Sequence, residues 1–314
     1  MERAAATPAV PAAAPGLYRR IRRRWADYLY VAPALLVMLL VIGYPIYDTI
    51  YLSLFNTPPS LAMEDKVFVG FDNYARILTS EAFRSVTWNT LVWTFFSTLF
   101  AFLLGLGAAL SLNRAFIGRG LMRGILLVPY VISGVSAAYI WRWLYHSDFG
   151  VIGAALVALG ITDRPINLID NVDTVLPALI VVNVWKEFSF AMIMLLAGLQ
   201  TVPDQLHRAA RVDGAGPWQS FWHVTLPHLR GVTIVTLLLL VVSNLNSFII
   251  PWIMTGGGPV GASDIWITAI YQLAFERVRF GTASAYSVIL FVVMMSMGYF
   301  YVRALTRRDD EAPR

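Results

Sequence analysis

Six uninterrupted apolar stretches dominate this chain, and each is long enough to cross a lipid bilayer. They cover residues 29–47, 86–113, 124–141, 174–199, 231–252 and 280–302. At 1.5 Å per residue, a helix of about 20 residues spans the ~30 Å hydrocarbon core. Lipid offers no water to backbone amides and carbonyls, so spanning segments of this kind must satisfy them internally as helices. The chain therefore reads as an all-α integral membrane protein with six transmembrane helices. What remains of its 314 residues is divided among loops and tails, none of domain length. Composition agrees: 58% of residues are hydrophobic and 14% charged, whereas an ordinary soluble domain carries about 25% charged residues. The absence of cysteine excludes disulfide frameworks, thiolate metal sites and cysteine nucleophiles.

Charge sets the topology. Residues 1–27 form an Ala/Pro-rich tail that ends in the cluster Arg19, Arg20, Arg22, Arg23 and Arg24. Directly before a spanning helix, such a cluster acts as a topology determinant on an anionic inner leaflet. The first apolar run has no small-residue cleavage site at its end and is expected to be retained. Six spans put both termini on one side. If that side is the cytoplasm, sixteen of the 24 Lys and Arg residues lie there, against six outside and two, Arg142 and Lys186, within spans. The positive-inside rule favours this arrangement. The domain layout is then a tail over 1–27, a six-helix membrane domain over 28–305 with a long inner loop over 200–230, and a tail over 306–314. The outer loops, with Asp65, Asp72, Asp264, Pro58-Pro59 and Gly256-Gly257-Gly258-Pro259, read as solvated connectors. Trp25, Trp88, Trp141, Trp143 and Trp252 lie near predicted helix ends, where an aromatic belt belongs. His146, His207, His223 and His228 are scattered and form no convincing metal set.

The inner loop between spans four and five is more ordered than a linker requires. Pro203 suits a first helical turn, Leu206, Ala209, Ala210 and Asp213 follow, and Gly214 suits a left-handed helix end. The spacing predicts a helix of two to three turns, thin at Ala209-Ala210 and flanked by Arg208 and Arg211. A second partner surface could approach it closely. After Gly-Ala-Gly-Pro, Trp218, Phe221, Trp222 and Thr225 recur at helical spacing and put aromatic bulk at the membrane interface.

Span four carries Lys186 and Glu187 near the bilayer midplane, where each costs roughly 2.5–3.5 kcal/mol facing lipid. Neighbouring helix positions do not face one another, so both need a hydrated cavity or partners on other helices. Asn183, Lys186, Glu187 and Phe190 fall at i, i+3, i+4 and i+7, on one helix face. Amide, ammonium, carboxylate and ring together make a surface for sugar hydroxyls and a pyranose face. Polar groups that merely hold helices together are the equally weighted alternative. Span five repeats the theme with Ser243, Asn244, Asn246 and Ser247, and span three sets Tyr130 after Pro129, which loosens the helix.

The segment Pro203, Leu206, Arg208-Ala209-Ala210, Asp213-Gly214-Ala215, Phe221, Leu226-Pro227 resembles the Glu-Ala-Ala loop of binding-protein-dependent ABC importer permeases. Further motifs extend the resemblance from Tyr28 to Arg303: Val69-Gly70-Phe71-Asp72-Asn73-Tyr74, Leu127-Val128-Pro129-Tyr130, Ala197-Gly198-Leu199-Gln200 and Thr255-Gly256-Gly257-Gly258-Pro259. They are similar to the sugar-permease branch, in the subunit type of the larger maltose-type permease. The resemblance implies a subunit of the cytoplasmic (inner) membrane that performs no chemistry and binds no cofactor. It also implies a second permease as partner, two cytoplasmic ATPases that use ATP and Mg, and an extracytoplasmic sugar-binding protein. By the same resemblance, Arg208, Ala209, Ala210, Asp213, Gly214 and Ala215 form the helix that couples to an ATPase. Tyr130, Asn183, Lys186, Glu187, Phe190 and Asn244 match positions lining the translocation cavity. Two departures stand out: Arg208 replaces the family's glutamate, and Leu240 falls where a hydroxyl is common. An ion-coupled secondary transporter using Glu187, or a membrane enzyme, are the competing classes. The chain lacks a phosphate-cradling GxxxxGK[ST] motif, evident inverted repeats and a catalytic constellation.

Overall fold

The computed structural model describes residues 25–57, 66–164 and 166–309. The arginine cluster before residue 25, Asp65, the Pro58-Pro59 turn and residues 310–314 lie outside the described residues.

The chain divides between Tyr51 and Leu52 into two compact units. The first is built on α1 (Trp25–Met38) and α2 (Tyr44–Ser53), joined by a π-helical turn over Leu39–Gly43. The turn falls just before Pro45, which has no amide to donate, and the Tyr44 N–H reaches back five residues to the Leu39 carbonyl. The outcome is one apolar helix of 26 residues, Tyr28–Ser53, longer than the predicted span.

The second unit begins with a minimal antiparallel pair, β1 (Phe55–Asn56) and β2 (Val67–Phe68), and a short helix α3 (Asp72–Thr79). The 33-residue α4 (Glu81–Asn113) starts where the Ser80 hydroxyl accepts the Phe83 N–H at 3.1 Å. Next come α5 (Arg119–Val131), α6 (Gly134–Leu144), α7 (Val151–Ala158) and the 25-residue α8 (Val175–Leu199). The chain continues through α9 (Asp204–Val212), α10 (Pro217–Ser220), a π-helical turn over Phe221–Thr225, α11 (Leu226–Leu245) and α12 (Ile249–Thr255). It ends with α13 (Trp266–Tyr271) and α14 (Phe280–Asp309).

Five helices are long and apolar enough to cross a membrane, and the count becomes six if the bent pair α5–α6 is taken as one span. The continuous span expected over 124–141 is thus corrected to two half-helices that meet at 95°.

Close packing of α4 on α8 centres on Gly105. A Cβ there would stand 2.5 Å from Ala191 Cβ and 2.9 Å from both the Met192 nitrogen and the Phe188 oxygen, so the two backbones touch. On one side of this contact, buried Trp93 packs with Leu179, Val182 and Ile250. On the other, Leu112 packs with Met192, Leu195 and Leu229.

The connections expected to be solvated are partly folded into the core. On α3, Ile77 is buried against Ala285 and Tyr286 of α14, and Asn73 Nδ2 donates to the Ser53 and Phe55 carbonyls, each at 2.9 Å. Asp264 accepts at Oδ1 from Thr268 at 2.9 Å and Gln272 at 3.0 Å, and burial pushes its carboxyl above the usual range. The aromatic belt is also divided: Trp88 and Trp143 are exposed, whereas Trp141 packs between Tyr145 and Trp185 with centroids at 5.6 Å.

Candidate translocation and coupling sites

The helix break between α5 and α6 begins with Pro129, whose nitrogen carries no hydrogen. Ile132 and Ser133 then adopt extended ψ values of 133° and 138° before α6 starts. Carbonyls near such a break lose their helical donors. Further back along α5, Ser189 Oγ of α8 donates to the Leu126 carbonyl at 2.6 Å, and at the break itself the Ile132 carbonyl meets Lys186 Nζ of α8 at 3.0 Å. An ammonium at this point also faces the negative end of the α5 dipole. Lys186 thereby has a partner on another helix, as its position at membrane depth requires. The Lys186 stem runs past Gly134, where an added Cβ would lie 3.7 Å from its Cε.

Asn183 and Asn244 are 2% and 1% exposed. Asn183 Nδ2 donates to Asn244 Oδ1 at 2.6 Å, and Asn244 Nδ2 donates to Thr98 Oγ1 at 3.0 Å. Trp93 Nε1 donates to the Asn244 carbonyl at 3.1 Å. A chain of hydrogen bonds therefore joins α8, α11 and α4 through the core. Glu187 is half-buried and accepts a long hydrogen bond from Ser243 Oγ at 3.4 Å. Tyr130, 49% exposed, stacks on Phe190 with centroids 6.2 Å apart and planes 25° from parallel.

The six residues singled out from the sequence thus fall into three groups. Tyr130 and Phe190 form an accessible aromatic pair, Asn183 and Asn244 bind each other, and Lys186 and Glu187 bind different helices. Leu240 is fully buried beside Ala101 and Ala191, so the missing hydroxyl is replaced by packing. Sequence reasoning missed Ser189, Thr98 and Trp93. Ser189 follows Lys186 by three residues, and Thr90, Thr94, Ser97 and Thr98 recur along one buried face of α4. That spacing was the available signal.

On the other side of α8 the chain enters α9. Pro203 is extended, with ψ 129°, and stands as the N-cap rather than in the first turn. The C-terminus forms as its sequence dictates. Gly214 has φ +80°, its N–H bonds the Arg211 carbonyl at 3.1 Å, and the Ala215 N–H bonds the Ala210 carbonyl at 2.8 Å. This pair of bonds is the Schellman arrangement, which requires a left-handed residue at the turn. No residue of α9 is buried, and Arg208, Ala209, Asp213 and Gly214 are exposed. Trp218, Phe221 and Trp222 follow as a mutually packed cluster with centroids 5.6–6.0 Å apart. Among the described residues no group of three or more His, Cys, Asp or Glu side chains is gathered as for a metal.

Long apolar helices, polar groups paired at membrane depth and an exposed helix carried between two spans define a membrane transport subunit. Its amino-acid sequence assigns it further. The chain belongs to the family of binding-protein-dependent transport system inner membrane components, whose profile matches residues 101–308. It is therefore a multi-pass component of the inner membrane and a transport subunit rather than an enzyme. It is 35% identical over 294 residues to the trehalose/maltose transport system permease protein MalF of Thermococcus litoralis, covering 93% of this chain and 97% of that one. It is 33% identical to the sulfoquinovosyl glycerol transport system permease protein SmoG of Agrobacterium fabrum, over 91% of this chain and 94% of the relative. Among solved structures it resembles a chain of a bacterial alginate ABC transporter in complex with an alginate pentasaccharide-bound periplasmic protein. There the TM-score is 0.76 and the identity 26%, with 91% of this chain and 95% of that chain covered.

Proposed function

We propose that this chain translocates a carbohydrate, as one permease of a heterodimeric ABC importer with both termini in the cytoplasm. The observation that carries this reading is its similarity, along nearly the full length of both chains, to permeases whose names specify trehalose, maltose and sulfoquinovosyl glycerol. Two ATPases supply the energy, using ATP and Mg, and an extracytoplasmic binding protein delivers the sugar. The fold supports the same roles. The stacked Tyr130 and Phe190 rings offer a plane to a pyranose face, and Glu187, with one long hydrogen bond, retains acceptor capacity for hydroxyls. Asn183, Lys186 and Asn244 fix the helices through their hydrogen bonds, and are freed for substrate only when those helices shift.

The exposed α9 supports a coupling role. Arg208, Ala209, Ala210, Asp213, Gly214 and Ala215 present a thin, pre-formed end to an ATPase cleft, and Arg208 pairs there with an acidic group. The subunit's contribution is the differential stability of two conformations, biased by nucleotide on one side and loaded binding protein on the other.

The test is reconstitution of the complete complex in proteoliposomes with its binding protein and a panel of labelled mono- and oligosaccharides. Uptake that needs both ATP and the loaded binding protein is expected. Uptake without ATP but abolished by an uncoupler would replace this reading with an ion-coupled carrier.

A further inference from the structure

Beneath α9 lies a cavity of about 650 Å³, set between that helix, the C-terminal end of α4, the end of α8 and the turn through α10. Its polar walls include Arg114, His207 and Arg211 together with Asn113, Ser220 and Thr225, and its apolar walls include Leu110, Leu199 and Phe221. It contains no lining carboxylate.

Arg114 is exposed at the C-cap of α4. Arg211 uses Nε on the His207 carbonyl at 3.3 Å, which leaves the outer fork of its guanidinium unused. Among the described residues neither arginine has a carboxylate partner. His207 engages Ser220 Oγ through Nδ1 at 3.0 Å, leaving Nε2 available.

On α9, Ala209 lies about 160° round the helix from both His207 and Arg211, while Arg208 flanks Arg211 at about 60°. The helix thus turns His207 and Arg211 to the cavity and Ala209 away from it. The site is at the end of two spanning helices, Asn113 of α4 and Leu199 of α8. Trp218, 71% exposed, also lines it, as suits an interfacial ring.

We propose that this cavity binds the headgroup of an anionic phospholipid. The two guanidinium forks take the phosphodiester oxygens, and the upper acyl chain covers Leu110, Leu199 and Phe221. Guanidinium planes match phosphate geometry in a bidentate way, and an apolar wall beside them selects an amphiphile over a free anion. Occupancy ties α9 to the ends of α4 and α8, so the lipid stiffens the helix against its own spans. The binding stands on the cavity alone; only its effect on ATP hydrolysis rests on α9 being the coupling helix.

The experiment uses the whole complex, purified from membranes and reconstituted in phosphatidylcholine with or without phosphatidylglycerol. Native mass spectrometry then counts retained phosphatidylglycerol, and ATPase stimulation is read in parallel. Arg114→Gln and Arg211→Gln should each reduce selective retention about 5-fold, at the strength of one arginine near an anionic surface. The Arg114→Lys, Arg211→Lys double variant, which keeps both charges but neither fork, should restore only part of it, and Arg230→Gln, exposed and outside the cavity, should leave it unchanged. Equal retention of the two lipids by the unaltered complex overturns the proposal, as does equal loss in the Arg230→Gln control. Inorganic phosphate displacing phosphatidylglycerol as effectively as the lipid itself overturns the choice of occupant. Selective retention without any ATPase response upholds the site and refutes the effect of its occupancy on ATP hydrolysis.

Discussion

Gly214 offers the sharpest test of the coupling reading, because its requirement is one of backbone handedness rather than space. At φ +80° it closes α9 through two hydrogen bonds, and nothing lies within 4 Å of where a Cβ would be. In Gly214→Val the backbone has two options. It can hold the left-handed conformation at a cost of about 1–2 kcal/mol for an L-residue, or leave it and lose two bonds worth ~0.5–1.5 kcal/mol each. Either way the formed end is disfavoured by about 1–2 kcal/mol, a factor of roughly 5–30 in its population relative to glycine. The open surroundings mean that the subunit's own melting temperature should hardly change. Asparagine visits the left-handed region with little penalty. Sugar imported per ATP hydrolysed, measured in proteoliposomes with loaded binding protein, should therefore rank Gly and Gly214→Asn together, then Gly214→Ala, then Gly214→Val. If Gly214→Asn uncouples as badly as Gly214→Val, bulk against the docked partner governs the site and the argument from backbone handedness is refuted.

Three other perturbations follow from the geometry. Lys186→Met removes the donor to the Ile132 carbonyl and should destabilise the purified complex by about 1–3 kcal/mol, whereas Lys186→Arg should recover part of this; melting curves decide, and an unshifted Lys186→Met would show that the contact is dispensable. Gly105→Ala forces a methyl group against Ala191 and the Met192 backbone, and overpacking of this kind costs about 1–3 kcal/mol. Gly105→Leu should fail to accumulate in membranes, and normal levels of it would mean that α4 and α8 can separate freely. Burial raises the Asp264 carboxyl above its ordinary value despite hydrogen bonds from Thr268 and Gln272. Folding then favours the protonated form, a contribution fully present below the unfolded pKa and lost as pH rises through the folded one. Asp264→Asn keeps an oxygen for both donors and should melt with less decline from acid to neutral pH than the parent; identical slopes would assign the pH response elsewhere.

Periodicity and hydropathy located α4, α8 and α14 because their runs are predominantly apolar over the length of a span. The same reasoning joined α5 and α6 into one span. Pro129 was visible, but proline in a membrane helix is tolerated wherever neighbours supply new donors. Whether the helix bends or breaks depends on donors from elsewhere, here Lys186, 54 residues from the Ile132 carbonyl it meets. The end of α9 was legible because glycine at a left-handed turn is a local requirement. The fate of Asn183 and Asn244 was not, since a polar residue on a helix face looks the same whether it meets substrate or another asparagine. Asp264 misled for a related reason: a carboxylate among glycines reads as solvated, and only the tertiary fold brings Thr268 and Gln272 round it.

The divided third span also has a consequence for how the protein is made. Its two pieces have 13 and 11 residues, while a self-sufficient membrane helix needs about 20. Both emerge from the ribosome well before α8 exists, so Lys186 is not at hand to take the stranded Ile132 carbonyl. During that interval the segment has no stable resting place in hydrocarbon, and it must wait at the insertion machinery or in the headgroup layer until α8 arrives to draw it in.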